Sequence, residues 1–309
     1  MRESKVRIRL VTVVWGQEFV DTFIRVGLRS LLGKGNIPDL AAAHLKGKVD
    51  AARFVEGAVR RVISAAAPVR RQPTPDAPLD TEALFGERVT IYEATDEGWC
   101  WGQLELDSYV GWVPAGALGA AGAAPSDRVS ALRTLVFPGP DIKFPPLETL
   151  SLGSRVVIVR REGDFAVTDA GGFIPARHLA PLGLHEPDFV AVAKRFLGTP
   201  YLWGGRSSLG LDCSGLVQVA LQSAGLDCPR DSDMQATYGT PVSFAGDAGA
   251  LMRGDLVCWK GHIGIVSDPG RFLHANAFHM AVAEEPLGEA IERIRKSGLD
   301  VTAVRRVAQ

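Results

Sequence analysis

The chain has 309 residues, 46% hydrophobic and 22% charged, an ordinary globular composition with room for two or three domains. Its 34 basic and 35 acidic side chains leave a net charge of −1, and no basic run offers a footprint for a nucleic-acid backbone. No stretch reaches the roughly 18 apolar residues that a bilayer span requires, and the four cysteines, Cys100, Cys213, Cys228 and Cys258, form no C-x-x-C pair of the kind that holds structural zinc.

The first 19 residues, MRESKVRIRLVTVVWGQEF, hold a short apolar run without a small-residue cleavage site. The expectation is a soluble, cytoplasmic protein. VRIRLVTVVW reads as a strand, and Phe19, Phe23, Val26 and Leu31 give the following segment a helical apolar face. Residues 1–56 are set apart as an N-terminal extension with no assigned role.

An internal repeat follows. GERVTI (86–91) and GSRVVI (153–158) share G-x-R-V-x-I, and Trp112-Val113-Pro114-Ala115 matches Phe173-Ile174-Pro175-Ala176. Alternating apolar residues and short turns in both copies predict small antiparallel barrels, over 57–119 and 126–183. The Gly/Ala/Pro stretch GALGAAGAAPSD separates them. Both segments resemble the bacterial Src-homology-3-like barrel.

From residue 184 to 309 the pattern becomes α+β. Phe189, Val192, Ala193, Phe196 and Leu197 form one helical face, stopped by Gly198 and Pro200. A second helix is predicted from Ser214 to about Ala224, and DLVCWK, HIGIVSD and RFLHANAF alternate as strands.

Cys213 sits at the start of that second helix, just after Asp212, a good N-cap. The helix N-terminus favours a thiolate. Ser214, Gln218 and Gln222 make a polar stripe beside apolar Leu216, Val217 and Ala220, so Cys213 is expected to face a groove on the border of the two. A reactive thiol needs a base, and the base an orienter. His262 and His274 lie on adjacent predicted strands and supply both. Cysteine with two histidines also suits zinc, but no fourth ligand is spaced to join them, so neither a metal nor a cofactor is expected. His279 is the alternative orienter.

PYLWGG (200–205), DCSGLV (212–217), RGDLVCW (253–259), GHIGIV (261–266) and FLHAN (272–276) occur in the order and at the approximate spacing of NlpC-type cysteine peptidases. The chain therefore resembles these papain-like enzymes of bacterial cell-wall peptides, with two barrels in front. That resemblance implies Cys213 as nucleophile, His262 as general base and His274 as the third polar member. It implies that Tyr201 and the Cys213 amide line the oxyanion hole. It further implies that Asp212 and Ser214 grip a substrate amine, and that Trp203 and Ser232 line the pocket. The implied partners are peptidoglycan-derived peptides with a free N-terminal L-Ala, cut between γ-D-glutamate and a diamino acid. Tyr109, Trp112 and Glu82 are possible contributors from the first barrel. The alternatives are a catalytically idle peptide- or glycan-binding protein, or an amidase or acyltransferase on the same fold.

Overall fold

The computed structural model describes residues 9–10, 40–48 and 51–307. The helix expected before residue 36 lies outside these residues, as does the strand apart from Arg9–Leu10. Arg9–Leu10, Leu40–Ala42 and Phe54–Val55 form a small parallel sheet.

Seven strands follow: β1 (Ala58–Val62), β2 (Ala66–Arg70), β3 (Leu79–Leu84), β4 (Arg88–Ala94), β5 (Trp99–Leu104), β6 (Val110–Pro114) and β7 (Leu118–Ala120). They join as one antiparallel sheet in the order β7-β1-β4-β5-β6-β2-β3. The sheet curls around Val62, Val69, Val89, Leu104 and Val113. Alternation makes this possible, since successive side chains of a strand face opposite ways. The opposite set on β4–β6, Tyr92, Trp99, Trp101 and Trp112, is not left bare. Leu40, Ala41, Ala42 and Leu45 of the preceding segment pack on these rings. Trp112, a sequence candidate for substrate contact, is thus buried with these rings under the preceding segment.

Residues 127–181 hold eight short strands in small antiparallel sheets. The two repeat copies share local conformation. In each, the Pro-Ala pair leads into a single 3-10 turn, Ala115–Ala117 and Ala176–His178, and then a short strand.

In the last part, α1 (Phe189–Lys194), α2 (Cys213–Ser223) and the one-turn α3 (Ser232–Gln235) precede a six-stranded antiparallel sheet. Its strands are β8 (Thr240–Pro241), β9 (Asp255–Trp259), β10 (His262–Asp268), β11 (Arg271–Asn276), β12 (Ala281–Pro286) and β13 (Val301–Arg306), in the order β8-β13-β9-β10-β11-β12. Helix α4 (Leu287–Lys296) lies between β12 and β13 in sequence. The sheet is covered on both faces. Phe189, Leu216, Val217 and Ala220 of α1 and α2 pack with Ile263, Ile265 and Leu273, while Leu287, Ala290 and Ile294 of α4 pack with Val257, Val266 and Phe272. Burying nine apolar side chains on the α4 face and more on the α1–α2 face, at about 1.5–3 kcal/mol for each large one, supplies the main force holding the helices to the sheet. Both helix expectations fall within a few residues of the observed bounds; the first helix ends at Lys194, before Gly198 takes a φ of +80°.

Candidate active site

Helix α2 begins where it does because Asp212 caps it. The Asp212 carboxylate accepts from the Gly215 amide at 2.7 Å, and its backbone is extended, outside the helix. Gly215 has a second use: a Cβ there would lie 2.2 Å from the Gly205 carbonyl oxygen, so only glycine lets the PYLWGG segment approach the start of α2. Cys213 becomes the first helical residue, with 7% of its surface exposed.

The amide of Ile263, the residue after His262, points at the Cys213 sulfur, as does the amide of Ser214. Burial pushes the thiol up to about 11 and Asp212 adds to this, against the pull of those amides and of Arg230. Burial also pushes His262 down to about 3, helped by His274 and Arg293. Desolvation therefore leaves both the Cys213 thiol and the His262 imidazole neutral at rest. Tyr201 lies close enough to Cys213 for their charges to interact; burial, Cys213 and Asp212 push its hydroxyl up to about 12, which keeps it a hydrogen-bond donor.

Behind His262 runs a chain of hydrogen bonds. His262 Nε2 and His274 Nδ1 are 2.8 Å apart, and His274 Nε2 lies 2.8 Å from Glu285 Oε1 on β12. The Arg293 guanidinium of α4 contacts the same carboxylate oxygen. His279, by contrast, turns its Nδ1 to Asn276 Oδ1 at 3.0 Å, so it is His274 that meets His262. Glycine again makes the room: a Cβ on Gly264 would come within 2.7 Å of the His274 Cβ.

This chain fixes both tautomers. Burial works against the Glu285 carboxylate, but the bond from His274 and the charge of Arg293 outweigh it and hold Glu285 below its ordinary value. An ionised carboxylate only accepts, so His274 donates from Nε2 and offers a lone pair at Nδ1. His262 then donates from Nε2, and its Nδ1 lone pair is left free to take a proton. Glu285, which sequence reasoning missed, is a candidate positioning residue through its bond to His274. Glu285→Ala is expected to lower kcat by roughly 10- to 100-fold, less than the 10²–10⁴-fold associated with a general base itself. Glu285 raises the proton affinity of both histidines. Its removal therefore also moves the acidic limb of the kcat/KM profile to lower pH. Glu285→Gln, which keeps an acceptor oxygen, recovers part of kcat but not the limb position. A pH–rate profile identical to the parent's contradicts the relay.

His274, His279 and Glu285 bring their ligand atoms within 4.8 Å of one another, a grouping that could hold a metal ion, where the sequence led to none being expected. Here the carboxylate is bonded to His274, and Arg293 supplies the positive charge beside it.

Asp212 and Ser214, the residues flanking Cys213, both meet Arg230. Asp212 forms a two-pronged pair with Arg230, at 3.0 and 2.7 Å, and also accepts from the Gly204 amide at 2.9 Å. Ser214 Oγ accepts from Arg230 Nη1 at 2.8 Å. Arg230 is 2% exposed at its side chain and donates its Nε to Thr81 Oγ1 of the first barrel. With these partners the Asp212 carboxylate is committed to the cap and to Arg230, and has little to offer a ligand amine. The polar stripe of α2 is committed too. Gln218 donates to Asp107 at 2.9 Å, and Gln222 accepts from Arg206, itself paired with buried Glu87 of the first barrel. The stripe faces the barrel and not the groove. Glu82 receives the Arg206 amide at 2.9 Å and helps hold the two units together.

Next to Arg230, at the start of α3, stands Asp231. Crowding by the protein pushes its carboxyl up to about 6; Arg230 opposes this, and Asp233, Asp212 and Asp80 add to it. Among the described residues no hydrogen bond or salt bridge engages this carboxylate. Tyr109 of the first barrel senses the charges of both Asp231 and Asp80. Ser232 follows in α3, partly buried, and Trp203 stands 62% exposed two residues from Tyr201.

A capped helix presenting a thiol, a strand-borne histidine pair and an α+β frame define a cysteine-type peptidase. Residues 198–295 match the NlpC/P60 family, and residues 69–118 match the bacterial dipeptidyl-peptidase Sh3 domain. The chain is 25% identical over 243 residues to a gamma-D-glutamyl-L-lysine dipeptidyl-peptidase of Bacillus cereus, an alignment spanning 68% of this chain and 71% of that protein. It is 37% identical over 113 residues to a probable endopeptidase of Corynebacterium glutamicum, covering 36% of this chain and half of the relative. In fold, an NlpC/P60 family protein from Bacillus cereus covers 81% of this chain and 99% of its own, with a TM-score of 0.66 at 20% identity. Among the described residues no helix is long and apolar enough to cross a membrane.

Proposed function

We propose that the protein hydrolyses peptidoglycan-derived stem peptides that carry a free N-terminal amine, at the bond between γ-D-glutamate and the following diamino acid. Cys213 attacks the carbonyl carbon while its proton passes to His262 Nδ1. The oxyanion that forms is held by the Cys213 amide and the Tyr201 hydroxyl. The C–N bond breaks as His262 returns the proton to the leaving amine. Water, deprotonated by His262, then cleaves the thioester and restores the thiol. The Bacillus cereus relative's name, gamma-D-glutamyl-L-lysine dipeptidyl-peptidase, supports the choice of bond. Residues 126–183 are read as a second barrel of the same kind as the first, on the strength of the repeat.

The single observation that carries the substrate reading is Asp231. It is an exposed acid that, among the described residues, has no ion-pair partner, placed at the seam of barrel and peptidase domain beside the start of α2. An ammonium group there satisfies the charge, and the first barrel limits how much substrate extends beyond it. Asp231 thus takes the amine-binding role that the sequence resemblance implied for Asp212 and Ser214. Its raised pKa sets the sign with pH: the carboxylate is lost as pH falls through about 6, so kcat/KM for free-amine peptides declines there.

The test compares L-Ala-γ-D-Glu-L-Lys with its N-acetyl form. Losing one charge-assisted contact lowers kcat/KM by roughly 10- to 100-fold. Asp231→Asn produces a similar loss on the free peptide and little further loss on the blocked one. Equal turnover of both peptides by the parent enzyme contradicts the amine-recognition claim.

A further inference from the structure

A cavity lies where α2, the first barrel and the 127–181 unit meet. It measures about 100 Å³, well above the roughly 10–15 Å³ that one water needs. Its lining includes Arg128, Arg155 and Arg206, together with Gln222 and Ser223 of α2 and exposed His185.

The charges there are out of balance. Arg206 is answered by Glu87 at 3.1 Å, although its Nε has no partner. Arg128 is 7% exposed and finds only neutral acceptors: its Nη2 donates to the Leu184 carbonyl at 2.7 Å and to that of Ser223 at 3.2 Å. Its Nε and Nη1 have no hydrogen-bond partner, and among the described residues no carboxylate pairs with it. The acid whose charge it senses, Glu186, has both oxygens on Arg195. Half-buried Arg155 adds a further positive charge to the same lining, where Glu87 senses it together with Arg206, leaving one carboxylate near three guanidinium groups. A buried guanidinium without a counter-charge is costly, and its fork of donors fits the oxygens of an anion.

We infer that this junction is a binding site for a small oxyanion of the phosphate or carboxylate kind. The anion would bridge Arg128 and Arg155 and tie α2 to the two units in front of it. The site is separate from the cleft and makes no use of Cys213, His262 or Asp231, so the inference stands apart from the proposed reaction.

Thermal unfolding of the full chain in sodium phosphate, sodium acetate and sodium chloride at matched ionic strength tests it, with calorimetric titration of inorganic phosphate alongside. Phosphate is expected to raise Tm by roughly 2–4 °C over chloride, increasing with the logarithm of its concentration. An acetate shift as large supports the site and assigns it to carboxylates. Arg155→Ala, at a half-buried position, is expected to abolish the anion-dependent rise and to leave peptide turnover in chloride unchanged. Arg128→Gln is the second variant and loses the same titration heat. Equal Tm in all three salts, or a parent-sized phosphate shift in both variants, overturns the inference.

Discussion

Alanine at Cys213 is expected to reduce turnover of the tripeptide by a factor on the order of 10⁶, the size seen when a nucleophile is removed from a hydrolytic triad. His262→Ala is expected to cost about 10²–10⁴-fold, the contribution of a positioned general base. The two effects do not add. Once the sulfur is gone the imidazole has no proton to take, so the double variant behaves like Cys213→Ala alone. The difference follows from the resting state of the site. Burial keeps both groups neutral, so in the proposed mechanism the thiol, held up to about 11, attacks only as its proton leaves for His262. Steady-state kcat/KM of the three variants is the measurement. A His262→Ala enzyme as active as the parent contradicts the role given to the base, and additive losses contradict the coupling.

The second large effect is expected far from any bond that breaks. Arg230→Met is expected to destabilise the peptidase domain by about 3–5 kcal/mol, because removing one partner of a buried ion pair leaves the other charge stranded. Asp212 is that stranded charge, and it caps the helix that presents Cys213. The same substitution breaks the Thr81 contact to the first barrel and frees the Ser214 hydroxyl. Activity therefore falls with stability. Arg230→Met/Asp212→Asn removes the unpaired charge together with its partner and recovers part of the urea midpoint without recovering turnover. If Arg230→Met unfolds at the parent's midpoint, the buried pair is not what holds the helix start in place.

Much of the site was legible in the sequence because its signals are local. The Asp-Cys-Ser-Gly start announces a capped helix within four residues, and HIGIV and FLHAN announce neighbouring strands through their alternation. Those patterns were enough to bring His262 and His274 to one place, at 2.8 Å. What stayed hidden depends on partners distant in the chain. Arg230 reads as an ordinary surface cation until folding sets it on Asp212, 18 residues back, and on Thr81, 149 residues back. Gln218 reads as part of a solvated stripe, yet its partner Asp107 is 111 residues away on the first barrel. Glu285 stands in a strand next to another glutamate, and nothing in its neighbourhood distinguishes the one that reaches His274. Trp112 reads as a possible substrate contact because its cover, Leu40–Leu45, lies outside the repeat that defines the barrel. Periodicity identifies which side of an element is apolar or polar; it does not identify which neighbour that side meets.

The reaction assigned here runs through one sulfur atom, and the other three thiols offer a natural comparison: Cys228 and Cys258 are buried, and burial raises the pKa of all three. Treating the full chain with iodoacetamide, mapping the carboxymethylated cysteine by peptide mass and following tripeptide hydrolysis in the same samples tests the assignment directly. Hydrolysis is expected to fall in proportion to modification at Cys213, to reach zero when that site is full, and to be protected by substrate. Undiminished hydrolysis in protein whose Cys213 is completely modified contradicts it.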